Sequence, residues 1–170
     1  TDMTNVDYDL IIIGGGPGGY VAAIKASQLG MSVALVEDKH LGGICLNWGC
    51  IPTKALLRAA ELKHNVSNLS EFGIEIEGSI NINLKNVIAR SRKVAERLSI
   101  GVSHLMKKNK ITVIDGVAKI QNKIADGWQI AVEGKTNYLL EAPNILLATG
   151  ARPREISGME ADGDKIVTYR

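Results

Sequence analysis

Tyr8-Asp9-Leu10-Ile11-Ile12-Ile13-Gly14-Gly15-Gly16-Pro17-Gly18-Gly19-Tyr20 decides how this chain folds. The apolar run has no polar alternation, so Tyr8–Ile13 is predicted to be a short strand covered on both faces, as in a parallel sheet. Glycines then break the strand. Tyr20–Leu29 carries Val21, Ala22, Ile24, Ala26 and Leu29; it reads as a helix ending at Gly30. Ser32–Val36 is the next strand, closing a β-α-β unit of about thirty residues.

The glycine spacing adds chemistry to this geometry. Gly14, Gly16 and Gly19 fit G-x-G-x-x-G, and the acidic Glu37 ends the second strand 18 residues past Gly19. Gly14 allows the tight turn, Gly16 lets backbone approach a pyrophosphate, and Gly19 lets helix and strand pack closely. The helix N-terminus offers free N–H groups and the positive end of a dipole to phosphates. Glu37 is placed to accept hydrogen bonds from ribose hydroxyls. A glycine turn without a ligand is the plain alternative, but strand, helix and acid in register favour a dinucleotide. The motif does not separate FAD from NAD.

Downstream, Pro52 is expected to start a helix through Val66, with Leu56, Leu57, Ala60 and Leu62 on its buried side. A looser stretch, 67–83, follows. Leu84–Lys110 reads as a long helix with Val87, Val94, Leu98, Val102 and Leu105 at helical spacing. Short β runs come next, at Ile111–Ile114, Val117–Ile120, Trp128–Val132 and Tyr138–Leu140. Asn144–Ala148 is a last apolar strand, ending in Thr149-Gly150, where small residues permit backbone to approach a ligand. The expectation is one Rossmann-like α/β domain with a parallel sheet and a small antiparallel β excursion.

Both cysteines lie in Gly42-Gly43-Ile44-Cys45-Leu46-Asn47-Trp48-Gly49-Cys50-Ile51-Pro52-Thr53-Lys54. Zinc needs about four ligands; His40, His64 and His104 are the only histidines and none beyond His40 lies near the pair, so no metal site is expected. A structural disulfide closing so short a loop gains little entropy and suits a reducing compartment poorly. A redox disulfide accounts for more. Cys50 is read at a helix start, where the dipole favours the thiolate; Cys45 is read on the approaching loop, open to exchange with a dithiol. Lys54, four residues on, shares a face with Cys50. It could hold flavin or phosphate charge, or be simply solvated.

Bulk properties narrow the setting. A net charge of +2 implies no particular partner. No apolar run approaches the roughly 20 residues of a membrane span, and Thr1–Asp7 does not read as a signal peptide. A cytoplasmic or mitochondrial-matrix setting is expected. The long helix is basic, with Lys85, Arg90, Arg92, Lys93, Arg97, Lys107, Lys108 and Lys110 against Glu96. Without interleaved aromatics this is read as a solvated face rather than a nucleic-acid surface.

The cysteine segment, with the glycine turn before it, resembles the class I pyridine nucleotide–disulfide oxidoreductases. Leu46, Ile51 and Ala55-Leu56-Leu57 favour the branch that oxidises dihydrolipoyl groups over those acting on glutathione, trypanothione or mercuric ion. Trp48 and Thr53 depart from the commonest form, and neither removes a reacting group. The resemblance runs from about Tyr8 to the end of the chain. It implies extended FAD, with adenosine on Gly14, Gly16, Gly19 and Glu37, Asp38 beside them, and Gly116 and Ala118 near the adenine. Gly43, Lys54, Thr149 and Gly150 complete the implied cofactor-binding set. It also implies that Cys50 faces the flavin and that Cys45 exchanges with dihydrolipoamide. NAD is the implied acceptor, the lipoyl groups of a 2-oxo acid dehydrogenase complex the implied partner, and a homodimer the implied assembly.

The family also has an NAD domain, a returning FAD segment and an interface domain bearing a His–Glu pair. None is recognisable here; Gly163-Asp164, among polar residues, reads as a turn. The expectation is therefore an N-terminal portion of a longer enzyme: a FAD-binding domain with its dithiol over 1–150, and over 151–170 the start of a connection toward an NAD-binding domain. Two alternatives stand beside it. One is a disulfide reductase for another substrate; the other is a dinucleotide-binding module without turnover whose dithiol serves as a redox switch.

Overall fold

A computed structural model describes residues 4–169. Thr1–Met3, read above for a leader, and Arg170 lie outside them. The elements in chain order are β1 (Thr4–Asp7), β2 (Leu10–Ile13), α1 (Pro17–Gln28), β3 (Val33–Glu37), α2 (Gly43–Asn47), α3 (Cys50–Ser67), a 3-10 turn (Leu69–Phe72) and α4 (Leu84–Lys108). β4 (Thr112–Asp115), β5 (Val117–Ile124), β6 (Gly127–Glu133), β7 (Tyr138–Ala142) and β8 (Asn144–Leu147) follow.

Two four-stranded sheets result. One is wholly parallel, in the order β4-β3-β2-β8. The other runs β1-β7-β6-β5, an antiparallel meander with β1 added in parallel along β7. Alternation along the central strands assigns each residue to one of two cores. Ile12, Val33 and Leu35 face Ala23 and Ala26 of α1 and Val102 and Met106 of α4. Ile11, Ala34 and Val36 face the other way, onto Ile130, Val132, Leu140 and Ala142 of the second sheet. The order of layers is thus helices, parallel sheet, mixed sheet. Ile11, Ile12, Ala34 and Leu35 are wholly inaccessible, which is why that segment shows no polar alternation.

The structure corrects several expectations. The first strand is Leu10–Ile13; Tyr8 and Asp9 leave it because β1 belongs to the other sheet. α1 begins three residues earlier than expected, since Pro17 suits the first helical position and its missing N–H costs nothing there. The helix expected at Pro52 begins at Cys50. Leu56, Leu57, Ala60 and Leu62 are exposed, and α3 buries Pro52 and Ala55 instead. α4 ends at Lys108 and buries Ser91, Ala95, Val102 and Met106; Leu98 and Leu105 are largely exposed. Small side chains at 91 and 95 let this helix approach closely, and Ser91 returns its hydroxyl hydrogen to Ile88 O at 2.8 Å. Among the later strands, β5 runs four residues further than expected and β7 two. Asp162 accepts from the amides of Asp164, Lys165 and Ile166, which forms the turn read at Gly163-Asp164.

Candidate nucleotide and dithiol site

The carboxyl ends of the four parallel strands open together onto a cavity of about 370 Å³. That is where ligands bind in open parallel sheets, and the volume lies within the small-molecule range. Its wall takes Gly14 and Gly16 after β2, Glu37 and Asp38 at the end of β3, Gly116 and Ala118 after β4, and Thr149 and Gly150 after β8. Gly43 and Cys45 close one side. Gly19, Lys54 and Cys50 lie outside the lining.

The three glycines of the motif have different physical jobs. Gly14 has φ +108°, and a Cβ there would collide with the Ala148 carbonyl; its amide donates to Val36 O at 2.8 Å. A Cβ on Gly19 would run into the Gly14 carbonyl, so this glycine lets α1 pack against the turn. Gly16 is different. Its backbone is extended (φ −73°), and the nearest atom to an added Cβ is Gly43 Cα at 3.8 Å. Protein packing does not require glycine at 16; the cavity does, if a ligand's backbone-hugging group occupies it. Pro17 has no N–H and the Tyr20 amide bonds to Gly16 O, so Gly18 and Gly19 hold the orphan amides of α1.

Glu37 does more than the sequence suggested. Its Oε2 accepts from the Gly15 amide at 2.7 Å, and its Oε1 from the amides of Lys39 and His40 at 3.0 and 3.2 Å. The carboxylate therefore ties the glycine turn to the loop after β3 while still lining the cavity. Oε2, with one amide donor, keeps a second acceptor site for a hydroxyl, while Oε1 already accepts from two amides.

Cys45 and Cys50 form a disulfide with Cα atoms 4.7 Å apart. Cys45 was expected on a loop; it lies instead within α2, one short turn that starts after Gly42 in the left-handed region (φ +99°). Asn47 braces the turn, its amide donating to Leu41 O and Gly43 O at 3.2 and 2.9 Å. Gly43 is also left-handed (φ +66°), and a Cβ there would come within 2.8 Å of Gly16 Cα. The two motifs thus touch glycine to glycine. Cys45 is half-buried on the cavity wall, and Cys50 is exposed at the first position of α3. No side chain caps the N-terminus of α3, so its dipole and free amides act on the Cys50 sulfur. Lys54 is exposed on α3.

Sequence reasoning did not place His40, Trp48, Arg152 or Tyr169, which also line the cavity. His40 and Trp48 meet edge to face with ring centroids 4.8 Å apart. The signal for that pair was present: Trp48 is one of the departures from the common motif. No helix among the described residues is long and apolar enough to cross a membrane.

Comparison with known proteins agrees with this geometry. A protein named dihydrolipoyl dehydrogenase from Rhizobium etli is 51% identical over 95% of this chain, which spans 36% of that protein. A protein of the same name from Zymomonas mobilis is likewise 51% identical, over 95% of the chain and 34% of its own length. The chain thus spans about a third of the length of these curated relatives. The crystal structure of LpdA from Mycobacterium tuberculosis superposes with a TM-score of 0.86 at 25% identity, covering 99% of this chain and 36% of that one. Residues 8–170 match the family described as pyridine nucleotide-disulphide oxidoreductase. With a dithiol turn packed on a nucleotide-type glycine turn and this match across nearly its whole length, the chain belongs to the pyridine nucleotide-disulphide oxidoreductase family.

Proposed function

We propose that the full-length protein containing this chain is an FAD-dependent dihydrolipoyl dehydrogenase, using Cys45–Cys50 as its dithiol and NAD as final acceptor. The observation that carries the reading is the contact of the Cys45–Cys50 turn with the Gly14–Gly19 turn around one cavity. The names of the relatives support the substrate. Lipoyl groups of a 2-oxo acid dehydrogenase complex are the proposed partners, a homodimer the proposed assembly, and the cytoplasm the proposed setting. Residues 151–170 are read as the start of a connection toward an NAD-binding domain.

The cavity fits an extended dinucleotide on two counts. Gly16 leaves open the space a Cβ would fill, and the orphan amides of Gly18 and Gly19 sit at the N-terminus of α1, where phosphate oxygens are favoured. Gly14, Gly16 and Gly43 would hold the pyrophosphate, Glu37 and Asp38 the ribose, Gly116 and Ala118 the adenine, and Thr149 and Gly150 the opposite end. FAD so held would supply a two-electron acceptor for the dithiol and a hydride donor to NAD.

The chain's own residues handle the thiol chemistry. A substrate thiolate attacks Cys45 Sγ; the Cys45–Cys50 bond breaks, and a mixed disulfide forms. Cys50 leaves as a thiolate, the better leaving group because it sits at the N-terminus of α3. The second substrate thiol, its proton given to solvent, attacks the substrate sulfur of the mixed disulfide, and the bond from that sulfur to Cys45 Sγ breaks. That step releases the cyclic disulfide product and leaves Cys45 reduced, so two electrons reach the cysteine pair. Cys45→Ser in the full-length protein should abolish dihydrolipoamide-dependent NAD reduction yet leave FAD bound. Normal turnover by that variant would overturn the assignment.

A further inference from the structure

The dithiol turn is gripped from outside by α4. Arg92 Nη1 donates to Asn47 O at 3.0 Å, across 45 residues of sequence. Ser99 Oγ, two turns further along the same helix, donates to Leu41 O at 3.1 Å across 58 residues. Arg90 reaches Ala55 O of α3 at 3.3 Å. Asn47 ends α2, so its carbonyl is one the short helix cannot satisfy itself. It also lies between the cysteines, two residues after Cys45 and three before Cys50.

From this geometry we infer that Arg92 is a positioning residue for the dithiol: it fixes the end of α2 and brings a permanent positive charge to the segment where the thiolate forms. The inference rests on the redox reading of Cys45–Cys50. Arginine suits the task because it stays protonated and its hydrogen bond sets where the charge lies. Ser99 contributes no charge, so the two anchors can be separated by experiment.

Other charged groups surround the pair and set the baseline. Glu37, Asp38, Lys39, His40 and Arg152 line the cavity with Cys45. Lys54 and Arg58 follow Cys50 on α3, and Arg58 is paired with Glu61 at 2.6 Å. α2 carries no charge. Within this set Arg92 is the cation hydrogen-bonded to the backbone between the two sulfurs. Two or three residues of chain put its charge roughly 8–10 Å from either sulfur. At an effective dielectric between that of protein surface and water, a charge there moves a thiol by about half a pH unit.

The test uses the full-length protein. Dithiothreitol reduces Cys45–Cys50, being oxidised to its own cyclic disulfide, and is then removed anaerobically. Iodoacetamide alkylation of each cysteine is followed against pH at low ionic strength, by mass of the peptide. In Arg92→Gln the midpoint of thiolate formation should rise by about half a unit, while Arg92→Lys and Ser99→Ala should stay with the parent. Superposable profiles for Arg92→Gln and the parent would overturn the inference, and so would equal shifts in the Lys and Gln variants. If the parent itself shows ordinary free-thiol behaviour at both cysteines, the redox reading falls along with the inference. A low parental midpoint that Arg92→Gln leaves in place removes the inference alone.

Discussion

Gly16→Val separates a ligand requirement from a folding requirement. The backbone at 16 is extended, and an added Cβ meets nothing nearer than Gly43 Cα at 3.8 Å, so a side chain can start here without a backbone clash. Replacing glycine at this helix-cap position costs about 1 kcal/mol or less. On the proposed reading, the valine methyls would crowd the space a pyrophosphate would take between the cavity and the N-terminus of α1. Losing two hydrogen bonds to a charged group, each about 1.5–3 kcal/mol, removes roughly 3–6 kcal/mol of affinity. At 1.4 kcal/mol per decade this is a weakening of about two to four orders of magnitude. The full-length variant should purify folded and largely colourless. Ligand at a hundredfold excess over its dissociation constant stabilises by about 2.7 kcal/mol, so added FAD should raise the parent's Tm and leave the variant's almost unmoved. Gly19→Ala is the contrasting case: its Cβ collides with the Gly14 carbonyl, and the fold itself should suffer. A yellow, stoichiometrically loaded Gly16→Val protein would refute the reasoning, and so would a Gly16→Val protein as unstable as Gly19→Ala.

Two further predictions concern stability. Ile11→Ala, at a wholly buried position between the two sheets, should cost about 2–5 kcal/mol, read as a lower denaturant midpoint; a shift under 1 kcal/mol would contradict the layer order. Asp9 carries a pH-dependent clip: its carboxylate accepts from the Ser32 amide at 2.7 Å and the Ser32 hydroxyl at 2.8 Å, and the amide bond chiefly, then the hydroxyl, holds its pKa below the ordinary aspartate value. A lowered folded-state value means stability that is present above the unfolded aspartate pKa and lost as pH falls through the folded one. The stability gap between the parent and Asp9→Ala should therefore be open at neutral pH and close on acidification. A gap that widens in acid would reverse the sign.

How much of this was legible in the sequence depends on whether a residue's role is local. The β2-α1-β3 unit was readable because burial on both faces leaves a continuous apolar run, and because Gly19 answers to the Gly14 carbonyl five residues back. β1 was not readable: Thr4-Asn5-Val6-Asp7 has no apolar run, and it is a strand only because β7 lies beside it. α2 was hidden for a similar reason, since one turn held by Asn47 and by helix α4 leaves no periodicity. On α4 the buried stripe passes through Ser91 and Ala95, while pattern reading follows the larger Leu98 and Leu105. At the site, Glu37 was found by its spacing. Its bonds to the amides of Gly15, Lys39 and His40 depend on a loop conformation that spacing does not encode. Arg92 reads as one more basic residue on a solvated face until the fold brings Asn47 to it.

The central claim is that Cys45–Cys50 is a working dithiol rather than a structural clip. The direct measurement mixes the oxidised full-length protein anaerobically with one equivalent of dihydrolipoamide, without NAD. The mixture is quenched with an alkylating agent, and the peptide bearing both cysteines is weighed. The account predicts no alkyl group on that peptide before mixing, alkylation of Cys45 and Cys50 after it, and no alkylation in a second sample given NAD in excess before the quench. A peptide still disulfide-bonded after mixing, in protein that nonetheless turns over with dihydrolipoamide and NAD, would contradict it.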